Sequence, residues 1–316
     1  MKNLYEQIIE NFNHKELLNE NVNNNSDFFY KPTFILSLPR VGSTFLQQIL
    51  LSVAQIGYVS NLIGCFWNKP EIGSSLHSKF FFDSYISNFN SSYGNTNGIF
   101  EPHEWGFFWR KWLDIPSNAL YYNPESKINW TKLRSKLIVM EKILNKPLFF
   151  NTPYVNNYFT KINSNITQCN IIFLFRNPFS ICNSILNARK LRYNSLSVYF
   201  GAKPKDYLLV KKISNPIEQV IAQVFYIYND LLYLRSSLKK KSYITIKYED
   251  IINEFDLTTK AILNFTNSNH DKYLKNRDLI PSFNNRNKIK FFDCKYKKEF
   301  NLIFQKYFKN FNYDDL

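Results

Sequence analysis

Short apolar runs and helical stripes alternate along the chain. Residues 34–38 (FILSL) form an apolar run that stops at a proline, as a buried strand does. Residues 45–53 follow, with Leu46, Ile49, Leu50 and Val53 on one 3.6-residue face. Residues 171–175 (IIFLF) are apolar at every position, the pattern of a central parallel strand. The next segment places Ile181, Ile185 and Ala188 on one helical face. A longer helix announces its own start, with Asn215 as N-cap, Pro216 at the first helical position and Glu218 at the third. Its stripe is Val220, Val224, Ile227, Leu231, Leu234 and Leu238. Residues 242–248 (SYITIKY) alternate as a strand does. The order predicts the α/β class, a central parallel sheet flanked by helices. No internal repeat or linker divides it, so a single domain over 1–316 is expected, with an N-terminal amphipathic helix and an Asn-rich loop within residues 1–30. Residues 191–214, rich in Lys and Pro, are expected to be a surface loop.

Composition narrows the function classes. The chain has 316 residues, 45% hydrophobic and 18% aromatic, enough to bury a core and incompatible with a mostly disordered protein. Only 8 glycines exclude collagen-like and glycine-linker chains. A net charge of +15 asks for an anionic partner without naming it. Of the 40 basic residues 31 are Lys, in a chain that also over-uses Asn, Ile, Tyr and Phe; much of that excess reads as solvated surface from an AT-rich coding sequence. No Lys/Arg-rich block or RNA-binding aromatic motif supports nucleic acid. The longest apolar strand is far too short to span a bilayer, and no secretory signal is seen. Cys65, Cys169, Cys182 and Cys294 are scattered, as are His14, His77, His103 and His270, so no metal site is expected and a cytoplasmic protein is.

Two loops carry the chemistry. After the first strand, PRVGST leads from a tight turn into a helix. Gly42 permits close approach, Ser43 and Thr44 supply hydroxyls, and the new helix N-terminus points amide groups and a positive dipole end at one spot. Arg40 adds a fork of donors. Such a site holds a phosphate-like oxyanion; the plainer reading is a helix start capped by Ser43 or Thr44. It is not a Walker A loop, since no Lys follows Gly42. After the second apolar strand, Arg176 ends the strand, Pro178 turns the chain, and Ser184 lies two helical turns along. Arg176 and Ser184 together can take a phosphate; separately they are a surface ion pair and an ordinary small helix residue.

As a pair, PRVGST and R-N-P-x-x-x-x-x-S resemble the signatures of the sulfotransferase family, from about residue 33 to 251. The likeness is closest to the broad P-R-[SG]-G-[ST]-T branch with bacterial and carbohydrate-type members. It implies a P-loop-NTPase-like architecture and the donor 3′-phosphoadenosine 5′-phosphosulfate (PAPS), with adenosine 3′,5′-bisphosphate (PAP) as product and no metal. By that resemblance Arg40, Val41, Gly42, Ser43, Thr44 and Phe45 hold the 5′-phosphosulfate, and Arg176 and Ser184 the 3′-phosphate. Residues 247–251 (KYEDI) look like the family's later Y-E-D segment, which puts Tyr248 near the adenine. Asn151, in N-T-P, departs from the K-[ST]-P of many members.

Sulfuryl transfer needs charge neutralised on the moving group and a base for the acceptor's proton. Residues 101–112 (EPHEWGFFWRKW) offer His103, Glu104 and Glu101 as bases, beside Trp105, Phe107, Phe108, Trp109 and Trp112, which wall an acceptor pocket or belong to the core. The implied reaction is transfer to a hydroxyl, or an amine, of a sugar, lipid head group or small metabolite. The rival readings are a nucleotide-dependent phosphotransferase, disfavoured by the missing Walker Lys, and a non-catalytic binder of a polyanion or nucleotide.

Overall fold

The computed structural model describes residues 4–14, 27–115, 123, 126–269, 271–288 and 291–316. The N-terminal helix is present as Leu4–His14. Its expected continuation, the Asn-rich loop up to residue 26, and His270 lie outside the described residues.

Seven strands are described: β1 Thr33–Ser37, β2 Gly57–Tyr58, β3 Ser91–Ser92, β4 Asn95–Thr96, β5 Leu148–Asn151, β6 Asn170–Phe175 and β7 Tyr243–Lys247. Five form one parallel sheet in the order β2-β5-β1-β6-β7, with Thr33 beside both Phe149 and Asn170. The expected α/β architecture is therefore present, with β1 at its centre. Every residue of β1, β5 and β6 is buried, as strands covered by helices on both faces must be. The edge strand β7 is mostly half-buried. β3 and β4 make a separate hairpin whose turn residues Tyr93 and Gly94 have φ of 54° and 90°.

Helices close the crossovers as the pattern required. The helix Pro216–Ser236 is capped by Asn215, whose Oδ1 accepts from the amides of Ile217 at 2.9 Å and Glu218 at 3.2 Å. Its stripe from Val220 to Leu234 is buried, whereas Leu238 falls beyond its end. The helix Ser43–Val53 is covered on all sides: Gln47, Gln48 and Ser52 are buried along with the apolar face. Residues 191–214 differ from the plain loop expected. The helix Pro178–Tyr193 runs into them, Tyr207–Lys211 forms a short helix, and Ala202 and Val210 are buried. The aromatic run also has a settled place. Trp105, Phe108 and Trp109 are fully buried, with Trp109 5.9 Å from Phe34 and 5.5 Å from Phe150, so they brace the sheet rather than wall a pocket; Phe107 alone is exposed.

Candidate active site

β1 and β6 are neighbours, so the loops at their C-terminal ends open side by side. The first loop is shaped by backbone. Gly42 has φ +101° and is the N-cap of Ser43–Val53, with no side chain capping it. Ser43 and Thr44 therefore do not close the helix start, and its first amides keep their partial positive charge. A Cβ at Gly42 would come within 2.7 Å of Tyr248 Cδ2, so the position has room for no side chain. Val41, fully buried, roots the loop in the core, and Thr44 is buried beside it.

Arg40 sits at φ 67°, a left-handed conformation costing an ordinary residue about 1–2 kcal/mol. Two contacts across the site hold it there. Its Nε donates to Ser184 Oγ at 3.1 Å, and its carbonyl accepts from Arg176 Nη1 at 3.0 Å. The two signatures, 144 residues apart for Arg40 and Ser184, thus meet in one place.

Arg176 is 7% exposed at the end of β6, and it forms no salt bridge among the described residues. Its Nε donates to Asn287 Oδ1 at 2.7 Å, and its guanidinium stands 4.4 Å from the centre of the Tyr248 ring. Tyr248 is thereby packed between Gly42 and Arg176. Phe45 projects beside it, its ring 4.6 Å from Phe283 and 6.3 Å from Tyr248. Burial, then repulsion from Arg176 and Arg286, lowers the pKa of Arg40; burial first, and repulsion from Arg286 among lesser causes, lowers that of Arg176. Three arginines gather here, offset in part by Glu104 beside Arg40 and Glu249 beside Arg176, and the surplus of positive charge suits an anion.

Several members of this cluster are invisible to motif reading. Arg286 and Asn287 come from an Asn-rich segment with no recognisable spacing; the scarcity of Arg in this chain was the one signal for Arg286. Glu249, by contrast, belongs to the Y-E-D segment and ties three segments together, Oε1 accepting from Asn177 N at 3.1 Å and from Asn287 Nδ2, and Oε2 from Tyr313 OH. Tyr93, at the hairpin tip, places its ring 5.0 Å from the Arg40 guanidinium carbon and 5.4 Å from that of Arg192.

The three candidate bases separate sharply. Glu101 is fully buried, and both its oxygens are taken: Tyr85 OH at 2.7 Å and Asn88 N at 2.9 Å on one, Gln48 Nε2 and Ser87 Oγ, each at 2.8 Å, on the other. It ties the loop to the helix behind Gly42. His103 accepts at Nδ1 from Trp105 N at 2.9 Å, which fixes the remaining proton on Nε2 and leaves no free lone pair. Burial lowers its pKa further. Glu104 is the one left available. Burial raises its carboxyl from the ordinary value near 4.5 to about 7, against the opposing pull of Arg40. Its Oε1 lies 3.2 Å from where a Gly94 Cβ would be, so the hairpin tip covers it.

Asn151 ends β5 and is buried, and Thr152 caps the turn after it by accepting from Tyr154 N at 3.4 Å. Among the described residues no group of three or more His, Cys, Asp or Glu side chains is placed to hold a metal ion. None of the described helices is long and apolar enough to cross a membrane.

Solved structures and one family profile are similar to this chain. The fold is similar to that of sulfotransferase STF9 from Mycobacterium avium, at 12% identity and a TM-score of 0.54, covering 90% of this chain and 77% of that one. Sulfotransferase STF1 from Mycobacterium tuberculosis H37Rv aligns at 12% identity and a TM-score of 0.49, covering 78% and 70%. The sulfotransferase domain from the curacin biosynthetic pathway aligns at 15% identity and a TM-score of 0.44, covering 82% and 80%. No curated protein matches the chain. The sequence profile described as the sulfotransferase family spans residues 32–272, which takes in both strand-end loops, the three carboxyl and imidazole candidates and Tyr248. By that match, over three quarters of its length, the chain belongs to the sulfotransferase family.

Proposed function

We propose that the protein transfers a sulfuryl group from 3′-phosphoadenosine 5′-phosphosulfate to the hydroxyl of a small molecule or glycan. The observation that carries the donor assignment is the convergence of Arg40, Ser184 and Arg176 at an uncapped helix start. A compact nucleotide with two anionic ends fits that arrangement. Arg40, Gly42, Ser43, Thr44 and Phe45 would take the 5′ end, and Arg176 with Ser184 the 3′-phosphate; Arg286 would add charge, and Tyr248 would brace the loop beside the nucleotide. When bound, the donor supplies a sulfur centre whose bond to the 5′-phosphate breaks as the acceptor oxygen attaches.

The chain's own residues do the rest. Arg40 and the loop amides draw charge from the sulfuryl oxygens and the leaving phosphate. Glu104, ionised near neutrality, takes the acceptor's proton; its pKa near the working range suits a base. Glu101 stays outside the chemistry because four donors occupy it, and His103 because its lone pair is engaged. The hairpin tip at Tyr93 and Gly94 shields this corner from water.

A thermal-shift comparison tests the donor. Adenosine 3′,5′-bisphosphate at a hundredfold excess over its Kd raises stability by about 2.7 kcal/mol, and ATP does markedly less. An equal response to ATP, or none to the bisphosphate, overturns the assignment.

A further inference from the structure

The tip of the hairpin β3–β4 is held by two arginines, and only one of them belongs to the donor loop. Tyr93 presents one ring to both: the Arg40 guanidinium carbon lies 5.0 Å from its centre and that of Arg192 5.4 Å. Its neighbour Gly94 faces the base, since a Cβ there would be 3.2 Å from Glu104 Oε1. Two adjacent tip residues thus touch the two groups that flank the point of transfer. The hairpin has little of its own to keep them there. Each strand is two residues long, and the pair is not joined to the main sheet. A two-stranded ribbon of this size needs outside contacts to hold one position. Its base is fastened at Thr96, whose hydroxyl donates to the Pro102 carbonyl at 2.9 Å. At the tip, beyond Arg40, Tyr93 meets Arg192 and the Phe200 ring, 6.2 Å away at 80°.

Arg192 is built into a stiffer frame. It stands in the last turn of the helix Pro178–Tyr193, and its guanidinium carbon is also 5.6 Å from the Phe200 ring centre. The chain around Phe200 is fixed by buried side chains. Gln223 Nε2 donates to the carbonyls of Phe200 at 2.9 Å and Ala202 at 2.8 Å, and Arg189 Nη1 to that of Leu196 at 2.9 Å. Arg192 itself is exposed and forms no salt bridge among the described residues, so its charge is left to the two rings. We propose that Arg192 is a positioning residue that acts through Tyr93. It keeps the hairpin tip closed over Arg40 and Glu104, and the closed tip keeps the sulfuryl group from water. In the leak so suppressed, a water oxygen bonds to sulfur as the sulfur–oxygen bond to the 5′-phosphate breaks. Sulfate and adenosine 3′,5′-bisphosphate leave, and the two protons of the water go to Glu104 and to solvent. The proposal rests on the sulfotransferase reading above and adds to it a residue outside both strand-end loops.

The clamp and the role it serves are tested apart. A double-mutant cycle of Tyr93→Leu and Arg192→Gln, read by urea unfolding of the full chain without nucleotide, is expected to show a coupling of about two- to fivefold in the unfolding constant, as an exposed cation–π contact gives. Tyr93→Phe keeps the ring and with it the coupling. Hydrolysis of PAPS without an acceptor, followed as sulfate release, is expected to rise by about the same factor in Arg192→Gln and to stay at the wild-type rate in Tyr93→Phe. Bisphosphate affinity is unchanged in Arg192→Gln. Should either variant not fold, Tyr93→Ala or Arg192→Ala takes its place. Absence of coupling overturns the clamp. Coupling with unchanged or slower hydrolysis, or with weakened bisphosphate binding, overturns the water-excluding role. Failure of the wild type to bind the bisphosphate would instead strike the donor assignment, and the cycle alone then decides the clamp.

Discussion

Glu104→Gln separates catalysis from stability in one substitution. The folded protein holds the Glu104 proton up to about pH 7, whereas an unfolded chain releases it near 4.5. Between those values the folded state binds more protons, so stability falls as pH rises through the window and stays at the lower level above it. At about 1.4 kcal/mol per tenfold change in proton affinity, the ionised carboxylate costs at most about 3 kcal/mol above pH 7. Gln, isosteric and uncharged, does not carry that cost. Denaturant unfolding is therefore expected to show the Gln variant close to wild type at pH 4.5 and up to about 3 kcal/mol more stable at pH 8, or a few degrees in Tm. The same titration governs the rate. Wild-type kcat/KM is expected to be near one tenth of its plateau at pH 6 and about one hundredth at pH 5, and the Gln variant to lose activity at every pH. A stability difference that is the same at both pH values refutes the buried-carboxyl account. A pH-independent kcat/KM between 5 and 8, or an active Gln variant, refutes Glu104 as base.

Three further outcomes follow from the same geometry. Arg40→Ala should remain folded and lose sulfuryl transfer, because its left-handed backbone and its contact with Ser184 serve the site rather than the core; retained turnover in a folded variant would count against it. Gly42→Ala introduces a methyl group at 2.7 Å from Tyr248 and forces an L-residue into φ +101°, so a loss of about 1–3 kcal/mol in stability and weakened bisphosphate affinity are expected by thermal shift. Glu101→Gln turns an acceptor oxygen into a donor facing donors, and should cost about 2–4 kcal/mol in urea unfolding despite making no contact with substrate.

The strongest readings from the sequence were those with a local physical cause. β1 and β6 were legible because parallel strands buried on both faces are apolar throughout, and Asn215-Pro216 because capping is written in adjacent residues. β2 and β5 were not, being two and four residues long and without a period to count. The hairpin β3–β4 was missed because it depends on two positive-φ turn residues, only one of them glycine. The two strand-end loops were legible as a pair, since each is a strand end followed by a helix start, and they do meet. Arg286 and Asn287 were not, because tertiary folding alone brings their segment to Arg176, whereas Glu249 lies in the Y-E-D segment that the sequence showed. Among the acids of residues 101–104, sequence could name the groups but not rank them; the ranking is set by who already holds a hydrogen bond.

Glu101 also has a consequence for how the hairpin is held over Arg40. Asn88 donates its amide to this carboxylate, so the chain segment between them leaves and returns close to one point. The intervening residues 89–100 include the hairpin and its tip over Arg40 and Glu104. Asn61 Nδ2 donates to Thr96 Oγ1 and Gly98 O, and Tyr58 OH to Phe100 O, so the segment is also fastened along its length. The hairpin tip that meets Arg40 is therefore set in place by Glu101 from one side and by Asn61 from the other.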